Sequence, residues 1–173
     1  MSDADLPRLL LLSGDRIIDS AGEETARIVR PRWSLRTMFS RTQEEVRLVR
    51  PDGTTWLSLP QQTEQDIHSL WVKNADGDRL ATVERRGGRG LTGSTLDVAD
   101  ASGRAMGTIA AGNAHQSFEA RDLLGDRLAT ASLAAHTWTL RLRREMPGAW
   151  EAAFLAVVVA AEEIQAMAPE NFA

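Results

Sequence analysis

The sequence predicts a mainly β protein: a closed antiparallel barrel of about twelve strands, built from repeated hairpins and wrapped around a hydrophobic C-terminal helix. Three observations predict it. The hexapeptide GDRLAT stands at residues 77–82 and again at 125–130. Around these copies, four units share a glycine flanked on both sides by alternating apolar residues. Near the end of the chain, every residue from Ala149 to Ala161 except Glu151 is apolar.

The repeat emerges when the chain is aligned on Gly53, Gly77, Gly103 and Gly125. Seven and five residues upstream stand Val46 and Leu48, Leu70 and Val72, Leu96 and Val98, Phe118 and Ala120. Three residues downstream come Trp56, Leu80, Met106 and Leu128, and six downstream Leu59, Val83, Ile109 and Ala131. A spacing of two within each upstream arm is the period of a strand with one buried face. Glycine, with nearby Asp52, Asp76, Asp100 and Asp122, supplies the turn between the arms. The glycines lie 24, 26 and 22 residues apart, enough for two ordinary strands and their turns. Four hairpins thus give eight strands between residues 44 and 133.

Beyond that block, Ala26–Val29, Trp33–Phe39 and Trp138–Arg144 read as strands, and Leu9–Asp19 as a hairpin turning at Gly14 and Asp15. No proline interrupts residues 61–146, as suits strands that keep their ladder hydrogen bonds. Residues 1–24 are read as an N-terminal extension or first hairpin, 25–168 as the barrel and 169–173 as a tail. Residues 148–167 form the predicted core helix. A helix apolar on all sides must be enclosed by protein or by lipid. A membrane span needs about 20 largely apolar residues, whereas this run ends at Glu162 and Glu163 after 13 positions. No transmembrane span is predicted, and the sheet closes around the helix instead.

Composition narrows the function classes. A chain of 173 residues with 43% hydrophobic content can bury one sizeable core, so a single domain is expected. Twenty basic residues against 24 acidic ones, a net charge of −4, lack the positive excess of a nucleic-acid binder. The absence of cysteine removes disulfides, thiolate metal sites and cysteine nucleophiles together. Asp3 and Asp5 precede the short apolar run Leu9–Leu12, the reverse of a secretory signal. A leaderless cytoplasmic protein, at most peripheral to a membrane, is expected. Lys73 is the sole lysine in a chain rich in arginine, alanine and glycine, a bias that points to a GC-rich bacterial genome.

The repeated units LWVKNADGDRLATVERR, STLDVADASGRAMGTIA and SFEARDLLGDRLATASL, closed by AWEAAFLAVVVAAEEI, resemble the LURP-one-related and phospholipid-scramblase-like proteins, which share the Tubby C-terminal fold. The resemblance covers roughly residues 33–167 and rests on the order and number of the units rather than on any one motif. It implies a twelve-stranded barrel around a central helix. It also implies functions that differ within the group, from phosphoinositide binding by Tubby domains to the lipid movement and calcium dependence linked to scramblases. The chain lacks the scramblases' cysteine cluster, proline-rich N-terminal region and calcium segment, so lipid scrambling is not expected.

Few residues carry recognisable chemistry. Gly88-Arg-Gly90-Leu-Thr-Gly93 matches a dinucleotide fingerprint as a string, yet the strand-like Ser94–Val98 follows where a helix should open. Asp97 and Asp100 precede Gly103, but Val98 and Ile109 stand where a calcium loop needs oxygen ligands. His68, His115 and His136 form no metal-ligand pair, and neither a G-x-S-x-G elbow nor a P-loop occurs. The paired acids Glu44 with Glu45 and Glu162 with Glu163 read as solvated ends of elements. Arg141, Arg143 and Arg144 read as the wet face of the last strand. No catalytic residue, metal or cofactor is expected. The candidate site is Arg85, Arg86 and Arg89 in a glycine-rich connection, where guanidinium forks could grip an anionic phospholipid headgroup. The expected function is a non-enzymatic binding module for such a lipid surface or for a protein partner; the alternative is an enzyme or small-molecule carrier using the barrel mouth.

Overall fold

Among the described residues, twelve strands pass in chain order around a closed antiparallel barrel, and one α-helix runs along its interior. The structure is a computed structural model that describes residues 7–31, 44–62, 67–86 and 95–167. The strands are β1 (Arg8–Ser13), β2 (Arg16–Asp19), β3 (Glu24–Val29), β4 (Glu45–Val49), β5 (Thr55–Pro60) and β6 (Ser69–Lys73), followed by β7 (Arg79–Arg85), β8 (Thr95–Asp100), β9 (Ala105–Ala111), β10 (Ser117–Asp122), β11 (Arg127–Ala134) and β12 (Thr137–Leu142). The helix α1 spans Gly148–Met167. The strand expected at Trp33–Phe39, like the tail at 169–173, lies outside the described residues.

The eight strands expected from the repeat are β4 to β11, and Trp138 opens the expected last strand within β12. The first hairpin, which the sequence placed outside the barrel's span of 25–168, supplies two of its strands. It turns at Gly14, as expected, and β1 pairs with β12 from Arg8↔Leu142 to Ser13↔Thr137, closing the barrel. Closure removes the free sheet edges at which another strand could add.

One end of the barrel is built five times from the same turn. The β2–β3, β4–β5, β6–β7, β8–β9 and β10–β11 turns each place a glycine, from Gly22 to Gly125, at φ between 82° and 88°. Glycine adopts that left-handed conformation without the Cβ clash of other residues. Its N–H donates to the carbonyl three residues back at 2.9–3.1 Å. In four turns the residue at that position also accepts through its side chain: Oδ1 of Asp19, Asn74, Asp100 and Asp122 each takes the N–H groups two and four residues on, at 2.9–3.0 Å. The β4–β5 turn has Arg50 there, and Asp52 instead binds the Thr54 N–H and hydroxyl. A register shift in the strand entering each turn completes the unit. The repeat therefore has five copies, not four, and in the third copy Asn74 rather than Asp76 is the side-chain acceptor.

The alternating apolar residues face inward, onto the helix. Val46, Leu48, Leu70, Val72, Leu96 and Val98 are all buried, as are Leu59, Val83, Ile109 and Ala131 on the returning arms. Trp56, Leu80 and Met106 are only partly buried and pack against the edge of this core. Ala152 to Ala161 are each at most 2% exposed, so α1 has no solvated side over its middle turns. Alanines are interspersed with valine, leucine and phenylalanine along it, which lets a helix about 10–12 Å across fit inside the ring of inward side chains. Among the described residues, no helix is long and apolar enough to cross a membrane. The helix enters tightly: a Cβ on Gly107 would stand 2.1 Å from the Arg121 carbonyl oxygen and 2.9 Å from the Trp150 ring.

Candidate anion-binding surface

Antiparallel alternation decides where each arginine points. Successive strand residues face opposite sides of a sheet. Arg85 ends β7 opposite Leu96, on the row that carries buried Val83, and is itself half-buried. Arg86 follows on the outer side, where its Nε donates to Oδ2 of Asp97 at 3.1 Å and its Nη2 donates to Oδ1. That hydrogen bond, and then the carboxylate charge, raises the Arg86 pKa further above its ordinary value. The fork that was expected to grip a headgroup is thus occupied by a neighbouring carboxylate. Arg89, the third member of the predicted cluster, lies outside the described residues, as does the 88–93 glycine string. The structure does not bring Arg85 and Arg86 together on one face.

A different set of arginines does converge. Where β11 and β12 approach the start of α1, an open groove of about 830 Å³ is lined by Arg127, Arg141, Arg143 and Arg144, with Asp122 and Glu145. Four guanidinium groups face two carboxylates, in a chain whose net charge is −4. Register explains the convergence. The β11–β12 hairpin sets Thr130 opposite Arg141, and the Arg143 N–H continues the ladder to the Leu128 carbonyl at 2.9 Å. Arg141 and Arg143, two residues apart, therefore share the outer face and are both exposed. Arg127 opens β11 just after the fifth turn and lies 3.8 Å from Glu119. Among the described residues, neither Arg141 nor Arg143 makes an ion pair. Sequence reading had Arg141, Arg143 and Arg144 as a wet strand face; the missing step was to fold β12 back on β11, which brings Arg127 beside them.

The groove lies at the regular end of the barrel, with the five glycine turns and the helix entry. Arg85, at the end of β7, lies at the opposite end, because the strands alternate direction around the barrel. That opposite end holds a smaller depression of about 410 Å³ lined by Gln116, His136, Glu162 and Gln165. Here the paired acids of α1 prove not to be a solvated terminus. Glu162 accepts the Trp138 indole N–H at 3.0 Å. Glu163 is buried, accepts the Gln62 N–H at 3.1 Å and has the Arg30 guanidinium at 3.7 Å. Burial raises the Glu163 pKa against the opposing pull of Gln62 and Arg30. Among the described residues, no group of three histidine, aspartate or glutamate side chains is placed to hold a metal ion. The barrel axis is taken up by α1, so the mouth does not lead into a lumen.

No protein-family profile matches this chain, and no curated protein matches it in sequence. Among solved structures, the chain is similar to an X-ray structure of a protein from Arabidopsis thaliana, with a TM-score of 0.60, 15% identity and coverage of 94% of each chain. At that identity the likeness is one of fold, and it extends over nearly the whole of both molecules.

Proposed function

We propose that the protein is a non-enzymatic binding module, resembling the LURP-one-related and scramblase-like proteins, that recognises anionic phospholipid headgroups at a membrane surface. The groove of Arg127, Arg141, Arg143 and Arg144 carries this reading. Arginine forks match phosphate and carboxylate oxygens bidentately, and two of the four have no carboxylate partner to displace among the described residues. The core supplies a rigid support: α1 and the inward rows fix β11 and β12, leaving their outer faces for binding. The Arg85 and Arg86 end takes a lesser part, because Arg86 would first have to leave Asp97.

Co-sedimentation with phosphatidylserine/phosphatidylcholine vesicles tests the proposal, with phosphatidylcholine vesicles as the control. The protein should bind the first and not the second, and binding should weaken with salt. Each arginine near an anionic surface contributes about 1 kcal/mol, so Arg141→Gln with Arg143→Gln should weaken binding by roughly thirtyfold. Arg85→Gln with Arg86→Gln should change it by less than about threefold. Equal binding to both vesicle types, or insensitivity to the Arg141 and Arg143 changes, would overturn the assignment.

A further inference from the structure

The five glycine turns share a backbone but not their tips. The two residues before the glycine are Pro51-Asp52, Ala75-Asp76 and Ala101-Ser102 in three of them, and Ser20-Ala21 before Gly22. Before Gly125 they are Leu123-Leu124. These leucines are 69% and 87% exposed, and with Val29 they are the exposed large hydrophobic residues among those described. No packing need places them there, because the other turns close in the same way with small or polar tips. Asp122 and Arg127, which bracket this turn, line the arginine groove.

We propose that this turn is a membrane-inserting tip: Leu123 and Leu124 enter the interfacial layer of an anionic bilayer while the adjacent arginines hold its headgroups. The inference rests on the headgroup reading above and adds to it an apolar contact and an orientation. The turn is prepared for a medium poor in water. The Leu124 and Asp126 N–H groups donate to Asp122 Oδ1 at 2.9 Å, and the Gly125 N–H donates to the Asp122 carbonyl at 3.1 Å. The Gly125 carbonyl in turn accepts from Arg121 Nη1 at 2.7 Å. These groups carry their hydrogen bonds with them, and an unpaired amide is what makes a loop costly to bring into an apolar phase. An apolar tip beside cationic side chains is also the pairing by which surface-bound segments hold to anionic lipid. The other turns at this end carry Asp52, Asp76, Asp78 and Asp100. The barrel must therefore approach tilted onto its β10–β12 side, keeping those carboxylates away from the lipid.

The cysteine-free chain allows a direct test. Leu124→Cys, labelled with an environment-sensitive fluorophore, should shift to the blue and brighten several-fold on phosphatidylserine/phosphatidylcholine vesicles. The same label on Asp76→Cys should remain in water. Unlabelled Leu123→Ser with Leu124→Ser should melt as the parent does and bind these vesicles about tenfold more weakly. Vesicle binding with the label at residue 124 still in water would overturn insertion and leave the headgroup reading standing. Failure of the unmodified protein to bind anionic vesicles would overturn both. A dimer in solution that Leu123→Ser with Leu124→Ser dissolves would assign the tip to a second copy of this chain and overturn the membrane proposal.

Discussion

At the end where α1 enters the barrel, five turns repeat one backbone hydrogen-bond scheme; at the end where it finishes, the described connections share no single scheme. The regular end uses an Asx acceptor, a left-handed glycine and a bulge, all supplied within a few residues of sequence. The other end uses contacts between distant parts of the chain. Glu163 meets Gln62 and Arg30, Glu162 meets Trp138, and Gln165 donates to the Ala114 carbonyl. Of its tight connections, β1–β2 turns at Gly14, but β9–β10 and β11–β12 pass through Ala114, His115, Ala135 and His136 at positive φ, residues with none of glycine's freedom. The contrast teaches that local chemistry builds one end of this barrel, whereas packing around the helix holds the other.

The largest expected effect strikes what the two ends share. Val158 is 0% exposed at the middle of α1. Val158→Asp places a carboxylate among apolar side chains, at a cost of about 3 kcal/mol or more out of a reserve of about 5–15 kcal/mol. Folded soluble yield should collapse, and a cooperative melt near the parent's temperature in circular dichroism would refute the helix's role as core.

A smaller effect separates the two aspects of a regular turn. Asn74→Ala removes the acceptor of two N–H groups and should cost about 1 kcal/mol by chemical denaturation. Asp76→Ala, at the exposed tip of the same turn, should cost less than about 0.5 kcal/mol. The reverse order would mean that the aspartate beside the glycine, as read from sequence, holds the turn after all.

The smallest effect is a difference in pH response between the ends. At the regular end, hydrogen bonds from Thr54 and from Ser102 and Arg104 lower the pKa values of Asp52 and Asp100. Their contribution is present above the unfolded pKa and is lost as pH falls through the lower folded value. Glu163 behaves oppositely. Its folded pKa is raised by burial, so its contribution is full below the unfolded pKa and is lost as pH rises through the folded value. Glu163→Gln should therefore be more stable than the parent at neutral pH, converge with it in acid, and lack the parent's decline as pH rises between the two. Parallel stability–pH curves would show that this carboxylate titrates as an ordinary solvated group.

The site was less legible than the fold because its members are defined by face and register rather than by spacing. Arg85, Arg86 and Arg89 cluster in sequence, but strand alternation sends Arg85 to the half-buried row and Asp97 claims Arg86. Arg127 and Arg141 are 14 residues apart and meet only because a hairpin lies between them. The fifth turn copy at Gly22 was missed for a similar reason. Its entering strand, β2, has only four residues, too few to display the upstream pair that marked the others.

By itself, the sequence determined the strands β4 to β11, their hairpin order, four of the five turns of the regular end and the enclosure of the C-terminal helix. Each of these follows from a local rule: a period of two, a glycine with an Asx partner, or a helix with no polar face. Only the tertiary structure decided that β1 closes onto β12, that Glu163 is buried beside Arg30, and that four arginines converge beside a leucine tip. Those outcomes depend on which strand lies next to which and which side faces out, and such relations exist only once the barrel has closed around its helix.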